Sequence, residues 1–301
     1  MNWYNNDEKI WKEIIETVSN EIGKDLIVVE KDMIQSIFLY NISSINKNLV
    51  FKGGTSLSKA YGIIERFSED IDISFNKDPS ESEKKNIKLL IEEQGKGIGL
   101  KLRNSSNIKS RYDYNKYIFS FNSLFTDLPQ EILIETSFFQ TSYPVEKYNI
   151  TSLIGKFCDK NGIPFPIECN ALSFKMPVQS MRRTFVDKIF AICDYYLENM
   201  SERYSRHLYD ICKIYDHINF DDSLKELVKK VREDRAKLKS NPSANQEYNI
   251  NSLLSEIIDK RFYEKDYNKL TSNLLYEDID YDFAIANGIQ RVIQTNAFAN
   301  C

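Results

Sequence analysis

The 301-residue chain sets 40 Lys and Arg against 44 Asp and Glu, a formal charge of −4, with 42% hydrophobic and 28% charged residues. That composition suits a globular protein with a sizeable core, and it excludes a globally basic nucleic-acid binder and any span of the ~18 apolar residues a membrane helix needs. Five scattered cysteines without a C-x-x-C pair exclude a disulfide framework and a cysteine zinc site, and two histidines (His207, His217) leave any metal to carboxylates.

In chain order, residues 7–21 place Ile10, Trp11, Ile14, Ile15 and Val18 at helical spacing, and Glu30 to Ile42 does the same with Met33, Ile34, Ile37 and Phe38. The opening residues show neither a signal peptide nor a transit pattern, so a cytoplasmic location is expected. An apolar entry, Leu49–Phe51, leads to a glycine turn; residues 55–65 are expected as a helix and Ile71–Phe75 as a strand. A polar helix over 80–95 follows, then strands at Ile98–Leu102, Tyr117–Asn122 and Glu131–Phe138. Between them, 104–115 reads as a loop whose Lys109 and Arg111 interleave with Tyr112 and Tyr114, a hairpin tip or a nucleic-acid contact. The proline-marked stretch around Pro144, Pro164, Pro166 and Pro177 reads as irregular, with Ile167–Leu172 as a strand. From Ser180 onward six helices are expected: 181–198, 203–218, 222–239, 250–262, 266–275 and 282–297, with a polar break at 240–249. The expected organisation is an α/β domain over 1–178 and a helical domain over 179–301.

The stretch FKGGTSLSKAYGIIERFSEDIDISF, residues 51–75, concentrates the chemistry. Gly53 and Gly54 followed by Thr55 and Ser56 at a helix start can present backbone N–H groups to a phosphate. The plain alternative is a strand-to-helix turn with a hydroxyl cap. It is not a P-loop, because the GxxxxGK[ST] spacing is missing. Asp70 and Asp72 lie at i and i+2 of a strand, so they share a face roughly 6–7 Å apart, a spacing that grips a hard cation such as Mg²⁺. Either feature alone is ambiguous; phosphate grip and metal grip within some twenty residues of each other are not.

That hG-G-[TS]…D-x-D arrangement resembles the nucleotidyltransferase superfamily. With VEKDMIQ at 29–35, RTFVDKIFAI at 183–192 and RHLYDI at 206–211, the chain resembles the AbiEii/AbiGii-type toxin nucleotidyltransferases over residues 29–216. The resemblance implies an α+β fold: a nucleotidyltransferase mixed sheet with flanking helices, followed by a helical C-terminal part that contributes to the active-site cleft. It implies that Gly53, Gly54, Thr55 and Ser56 hold the triphosphate, that Asp70 and Asp72 carry Mg²⁺ or Mn²⁺, and that Lys188 and Asp210 are catalytic. Asp187 stands where the family often has Glu, a mild departure.

Other residues rest on weaker grounds. Glu135 is a candidate third metal ligand, since Glu131, Leu133 and Glu135 share one strand face; an edge glutamate facing water is the alternative. Lys59, one turn into the helix, and Arg66, before the D-x-D strand, are candidate phosphate ligands, with Lys52, Arg182, Arg183 and Arg206 behind them. By spacing alone Lys188 sits at the margin of its apolar stripe and snorkels outward, and Asp210 forms a surface pair with Arg206. His207 reads as a packed or surface histidine. The expected reaction transfers a nucleoside monophosphate from an NTP to an acceptor. The resemblance makes that acceptor an RNA such as the tRNA 3′ end, and the chain a toxin of a toxin–antitoxin or abortive-infection pair with a cognate antitoxin and no membrane partner. Nucleotidylation of protein, phosphoryl transfer, and a catalytically inactive NTP- or RNA-binding protein are the alternatives.

Overall fold

The computed structural model describes residues 2–5, 7–68, 70–109, 112–139 and 141–299; Arg111 lies outside them. The chain divides into two compact units. One joins the residues up to Tyr61 with Ser68–Gln179, the other joins Gly62–Phe67 with Ser180 onward.

Unit 1 begins with α1 (Glu8–Ile22) and α2 (Leu26–Ile45). Gly23 closes α1 in a left-handed turn (φ 64°), and the Asp25 carboxylate caps α2 by accepting from the Ile27 N–H. Helix α2 extends beyond its expected ends because it is apolar on more than one side; Met33, Ile34, Phe38, Leu39 and Ile42 are all fully buried. Then come β1 (Leu49–Lys52), α3 (Gly53–Ser56) with a π-helical turn over Leu57–Tyr61, β2 (Asp70–Phe75), α4 (Glu81–Gly97) and β3 (Lys101–Leu102). The strands β4 (Tyr114–Phe121), β5 (Gln130–Ser137) and β6 (Val145–Thr151), helix α5 (Leu153–Asn161) and strand β7 (Ser173–Gln179) complete the unit. A Ser80–Glu83 capping box starts α4, as its sequence signature demands.

The seven strands form one mixed sheet in the order β3-β4-β5-β2-β1-β7-β6. Pairs β2–β5 and β1–β7 are parallel, and the others antiparallel. Three expectations are corrected here. The helix after the glycine turn stops at Tyr61, since Gly62 turns left-handed (φ 68°). Residues 98–102 contribute only a two-residue strand. The proline-marked region is ordered: it holds β6 and α5, and its later strand is Ser173–Gln179, not 167–172. Pro177 is tolerated because one ladder position can lack an N–H, and the periodic signal of these short elements was masked by the prolines around them.

Unit 2 consists of α6 (Met181–Leu197), α7 (Arg206–Tyr215), α8 (Asp222–Ala236), α9 (Ile250–Asp259), α10 (Glu264–Asp266) with a π-helical turn to Thr271, α11 (Tyr281–Asn287) and α12 (Ile289–Gln294). Ser180, Asp221, Asn249 and Asp280 cap α6, α8, α9 and α11 through side-chain oxygens. The helix expected over 282–297 breaks at Gly288, where a Cβ would stand 2.6 Å from the Ala284 carbonyl oxygen. The polar break at 240–249 is pinned: the Arg232 guanidinium donates to the carbonyls of Ala244, Asn245 and Tyr248, and Ser243 donates to Asp194. Residues 62–67 join this unit by an irregular strand contact, with Phe67 N–H on Leu274 O and Tyr276 N–H on Glu65 O.

Candidate active site

In unit 1 the glycine turn and the D-x-D strand are adjacent by register, since Lys52 opposes Asp72 across the antiparallel β1–β2 pair. Alternation along β2 buries Ile71 and Ile73 and leaves Asp70 and Asp72 half-buried on the other face. Gly53 adopts φ 76°, and a Cβ built on it would lie 1.8 Å from Asp72 Oδ2. The Asp72 carboxylate therefore rests against the bare backbone of the turn, where only glycine fits. Thr55 and Ser56 are buried. The Thr55 hydroxyl donates to the Asp70 carbonyl (2.5 Å), and the Ser56 hydroxyl donates to the Gly53 carbonyl (2.8 Å). Thr55 thus stitches the turn to the start of β2 while Ser56 closes the turn on itself, and what the turn offers a ligand is backbone N–H.

Glu135 opposes Asp72 in the parallel β2–β5 pair and shares its face. Its carboxylate accepts from Lys116 Nζ (3.0 Å) on β4. Tyr114 lies on the same face two residues before Lys116; burial and then the charge of Glu135 push its ionisation upward, so its hydroxyl remains protonated. Among the described residues no three acidic, histidine or cysteine side chains are disposed to hold a metal together. The donor set still fits Mg²⁺: two half-buried carboxylates on one strand face are the protein share of a site completed by substrate phosphates and water.

Lys59 is placed elsewhere. The residue is 3% exposed and its ammonium is held by Asp32 Oδ1 (2.5 Å), the Asp32 carbonyl (2.9 Å) and Ser36 Oγ (2.8 Å); burial lowers its pKa. Asp32 Oδ2 also accepts from the Leu153 N–H at the start of α5. Two positions along, Glu30 is fully buried and accepts from Ser123 Oγ and the Leu124 N–H, tying α2 to the β4–β5 connection. The VEKDMIQ block is therefore a set of struts beneath the sheet.

In unit 2, Arg66, Lys188 and Asp210 form one buried cluster. Arg66 grips Asp210 bidentately, Nε to Oδ1 at 2.7 Å and an η-nitrogen to Oδ2 at 2.8 Å, while Lys188 Nζ lies 2.6 Å from Oδ2. Asp210 is 0% exposed and Lys188 5%. Spacing thus misplaced both: Lys188 does not snorkel, and Asp210 is no surface pair. The α6 and α7 helices turn these positions toward each other, and residues 62–67 bring Arg66 to them. Burial works to raise the Asp210 pKa, but Arg66 and Lys188 outweigh it and hold the carboxyl well below its ordinary range. Burial lowers Lys188, against the pull of Asp210. His207 Nδ1 lies 3.3 Å from Lys188 Nζ, and burial, Lys188 and Arg206 keep the imidazole neutral. Arg182 is engaged by Asp221 and Ser223, and Arg183 by Asp187.

Sequence reasoning noted Tyr114 only as a hairpin residue and missed Lys116. Their signal is register: Lys116 opposes Glu135 across β4–β5, and Tyr114 follows on the same face. No single-strand pattern shows which strand lies beside which.

A mixed sheet with a glycine turn leading from one strand and paired aspartates on the next defines a nucleotidyltransferase-type protein. Residues 37–287 match the family model described as "Nucleotidyl transferase AbiEii toxin, Type IV TA system", and the chain belongs to that family. MenT4, a nucleotidyltransferase toxin from Mycobacterium tuberculosis H37Rv, is similar in fold with a TM-score of 0.54 at 15% identity, over 94% of this chain and 93% of that one. A Helicobacter pylori protein assigned as a nucleotidyltransferase aligns with a TM-score of 0.48 at 17% identity, over 87% of this chain and 90% of that one. A search of curated proteins finds no match. Among the described residues, no helix is long and apolar enough to cross a membrane.

Proposed function

We propose that this toxin-family nucleotidyltransferase moves a nucleoside monophosphate from an NTP to an acceptor hydroxyl, with release of pyrophosphate. The observation that carries the reading is the Asp72 carboxylate seated on the bare backbone of Gly53, which sets a hard-cation ligand beside a phosphate-sized turn. Asp70 and Asp72 hold Mg²⁺ or Mn²⁺, and the ion supplies charge neutralisation at the α-phosphate and the leaving group. The first N–H groups of the turn, those of Gly54 and Thr55, precede the first intrahelical bond and receive phosphate oxygens. Thr55 keeps Asp70 in place through its main chain, and Lys59 serves as a strut.

In unit 2, Arg66 and Lys188 bring two cations to the single carboxylate of Asp210, a place where an anionic group of the substrate can be met. In this reading Asp210 positions the two cations, and Lys188 is the group that meets transition-state charge. The acceptor is an RNA, with the tRNA 3′ end as the first candidate, and a cognate antitoxin restrains the activity. Support for both comes from family membership.

The test is incubation of the full chain with α- or γ-labelled NTPs, Mg²⁺, and total cellular RNA and protein. Label should pass to RNA from the α-position alone, and Asp72→Ala should abolish it with the melting transition unchanged. Transfer of γ-label means phosphoryl transfer, α-label on protein means protein nucleotidylation, and full activity in Asp72→Ala sinks the metal assignment.

A further inference from the structure

Register places four charged residues in one row across four neighbouring strands. Lys52 on β1 opposes Asp72 on β2, Asp72 opposes Glu135 on β5, and Glu135 opposes Lys116 on β4. Asp72, Glu135 and Lys116 all sit half-buried on the same face, with Ile71, Ile73, Ile134 and Tyr117 buried behind them. Neighbouring strands lie about 4.8 Å apart, so two like-charged carboxylates at Asp72 and Glu135 destabilise this row unless cations attend both.

Each carboxylate has a different attendant. Asp72 rests against the glycine turn, in register with Lys52. Glu135 has Lys116 Nζ 3.0 Å from Oε1, with Tyr114 two residues from Lys116 on the same strand face. We infer that the Lys116 ammonium takes the place of a second metal ion in this site, so that Asp70 and Asp72 hold a single divalent cation while Glu135 stays with Lys116 and Tyr114. The inference rests on the metal-dependent reading above.

Three observations support it. No third acidic, histidine or cysteine side chain joins Asp70 and Asp72 in a metal-binding set among the described residues. A two-ion site needs ions about 3.5–4 Å apart sharing ligands, and the ligand that strand order offers for sharing is Glu135. The ion pair is written into the β4–β5 ladder, since Lys116 and Glu135 are direct cross-strand neighbours. Tyr114 and Lys116 thereby become positioning residues for the carboxylate face.

The experiment is Mn²⁺ titration of the full chain, with bound ions counted by loss of the free-ion electron-paramagnetic-resonance signal and ion pairs detected by spin coupling. The wild type should bind one Mn²⁺ with no coupled pair, and Asp72→Asn should lose it. Lys116→Met should admit a second, spin-coupled ion with at least a tenfold gain in affinity for it, whereas Lys116→Arg should remain at one. A coupled pair in the wild type overturns the inference and leaves the metal reading intact. So does a Lys116→Met protein that still binds one ion. Absence of any Mn²⁺ site that depends on Asp72 overturns the metal reading itself, and the inference with it.

Discussion

The carboxylate row of unit 1 and the ion cluster of unit 2 use the same side-chain chemistry to opposite ends. Asp70, Asp72 and Glu135 are half-buried on an open sheet face, and their positions come from strand alternation and register. Asp210 is fully enclosed, and its partners are met from segments far apart in sequence, Arg66 lying 144 residues away. Carboxylates that are only half-buried can exchange water for a ligand cation. A fully buried carboxylate has no solvent to fall back on, so its charge is tolerated only while both cations stay in place. The first arrangement can exchange its cation; the second holds its cations in a fixed geometry.

The largest effect that would break this contrast is expected at Asp210. Asp210→Ala leaves Arg66 and Lys188 buried without their anion and should cost roughly 3–5 kcal/mol, read by chemical denaturation. Asp72→Ala, on the open face, should leave stability nearly unchanged. Equal losses in the two variants would erase the distinction.

Next comes Lys59. Its ammonium serves Asp32 and Ser36, so Lys59→Met should lower stability by roughly 1.5–3 kcal/mol, the range for hydrogen bonds to charged groups. Its NTP dependence, measured on folded protein, should match the wild type. A rise in KM for NTP with stability intact would return Lys59 to the phosphate site.

Gly53→Ala should act mainly on function. The added methyl must displace the Asp72 carboxylate and also endure φ 76°, so label transfer should fall by orders of magnitude with a stability loss of about 1–3 kcal/mol. Activity near the wild-type level would show that Asp72 can bind metal from another position.

The smallest effect is a pH dependence. Because the folded pKa of Asp210 lies below its ordinary value of 3.8, the stability it contributes is complete above that value and is lost as pH falls through the folded pKa. The stability gap between wild type and Asp210→Asn should therefore be flat from pH 7 to about 4 and narrow with further acid. A gap that narrows already between pH 7 and 5 would assign the titration to another group.

Much of unit 1 was readable before any coordinates. The stretch 51–75 contains its own turn chemistry, its own alternation and its own paired carboxylates, all local properties of a chain segment. The family blocks marked Lys188 and Asp210, yet helical periodicity alone assigned both to the surface. Periodicity reports which side of a helix is apolar; it is silent on which polar side chain will be enclosed by a distant partner. The prolines of the 144–177 region likewise hid β6 and α5, because short elements supply too few periods to outweigh breakers.

Local chain geometry sets a glycine turn and two aspartates on one strand face together, since a few consecutive dihedrals and the two-residue strand period are enough to place them. What surrounds each charge depends on how distant segments pack. Strand order set Glu135 beside Asp72 and Lys116 beside Glu135, α2 drew Lys59 inward to Asp32, and residues 62–67 carried Arg66 to Asp210. Those pairings join residues 19 to 144 positions apart or depend on which strands are neighbours. Their energies arise from burial and from partners that no local pattern encodes.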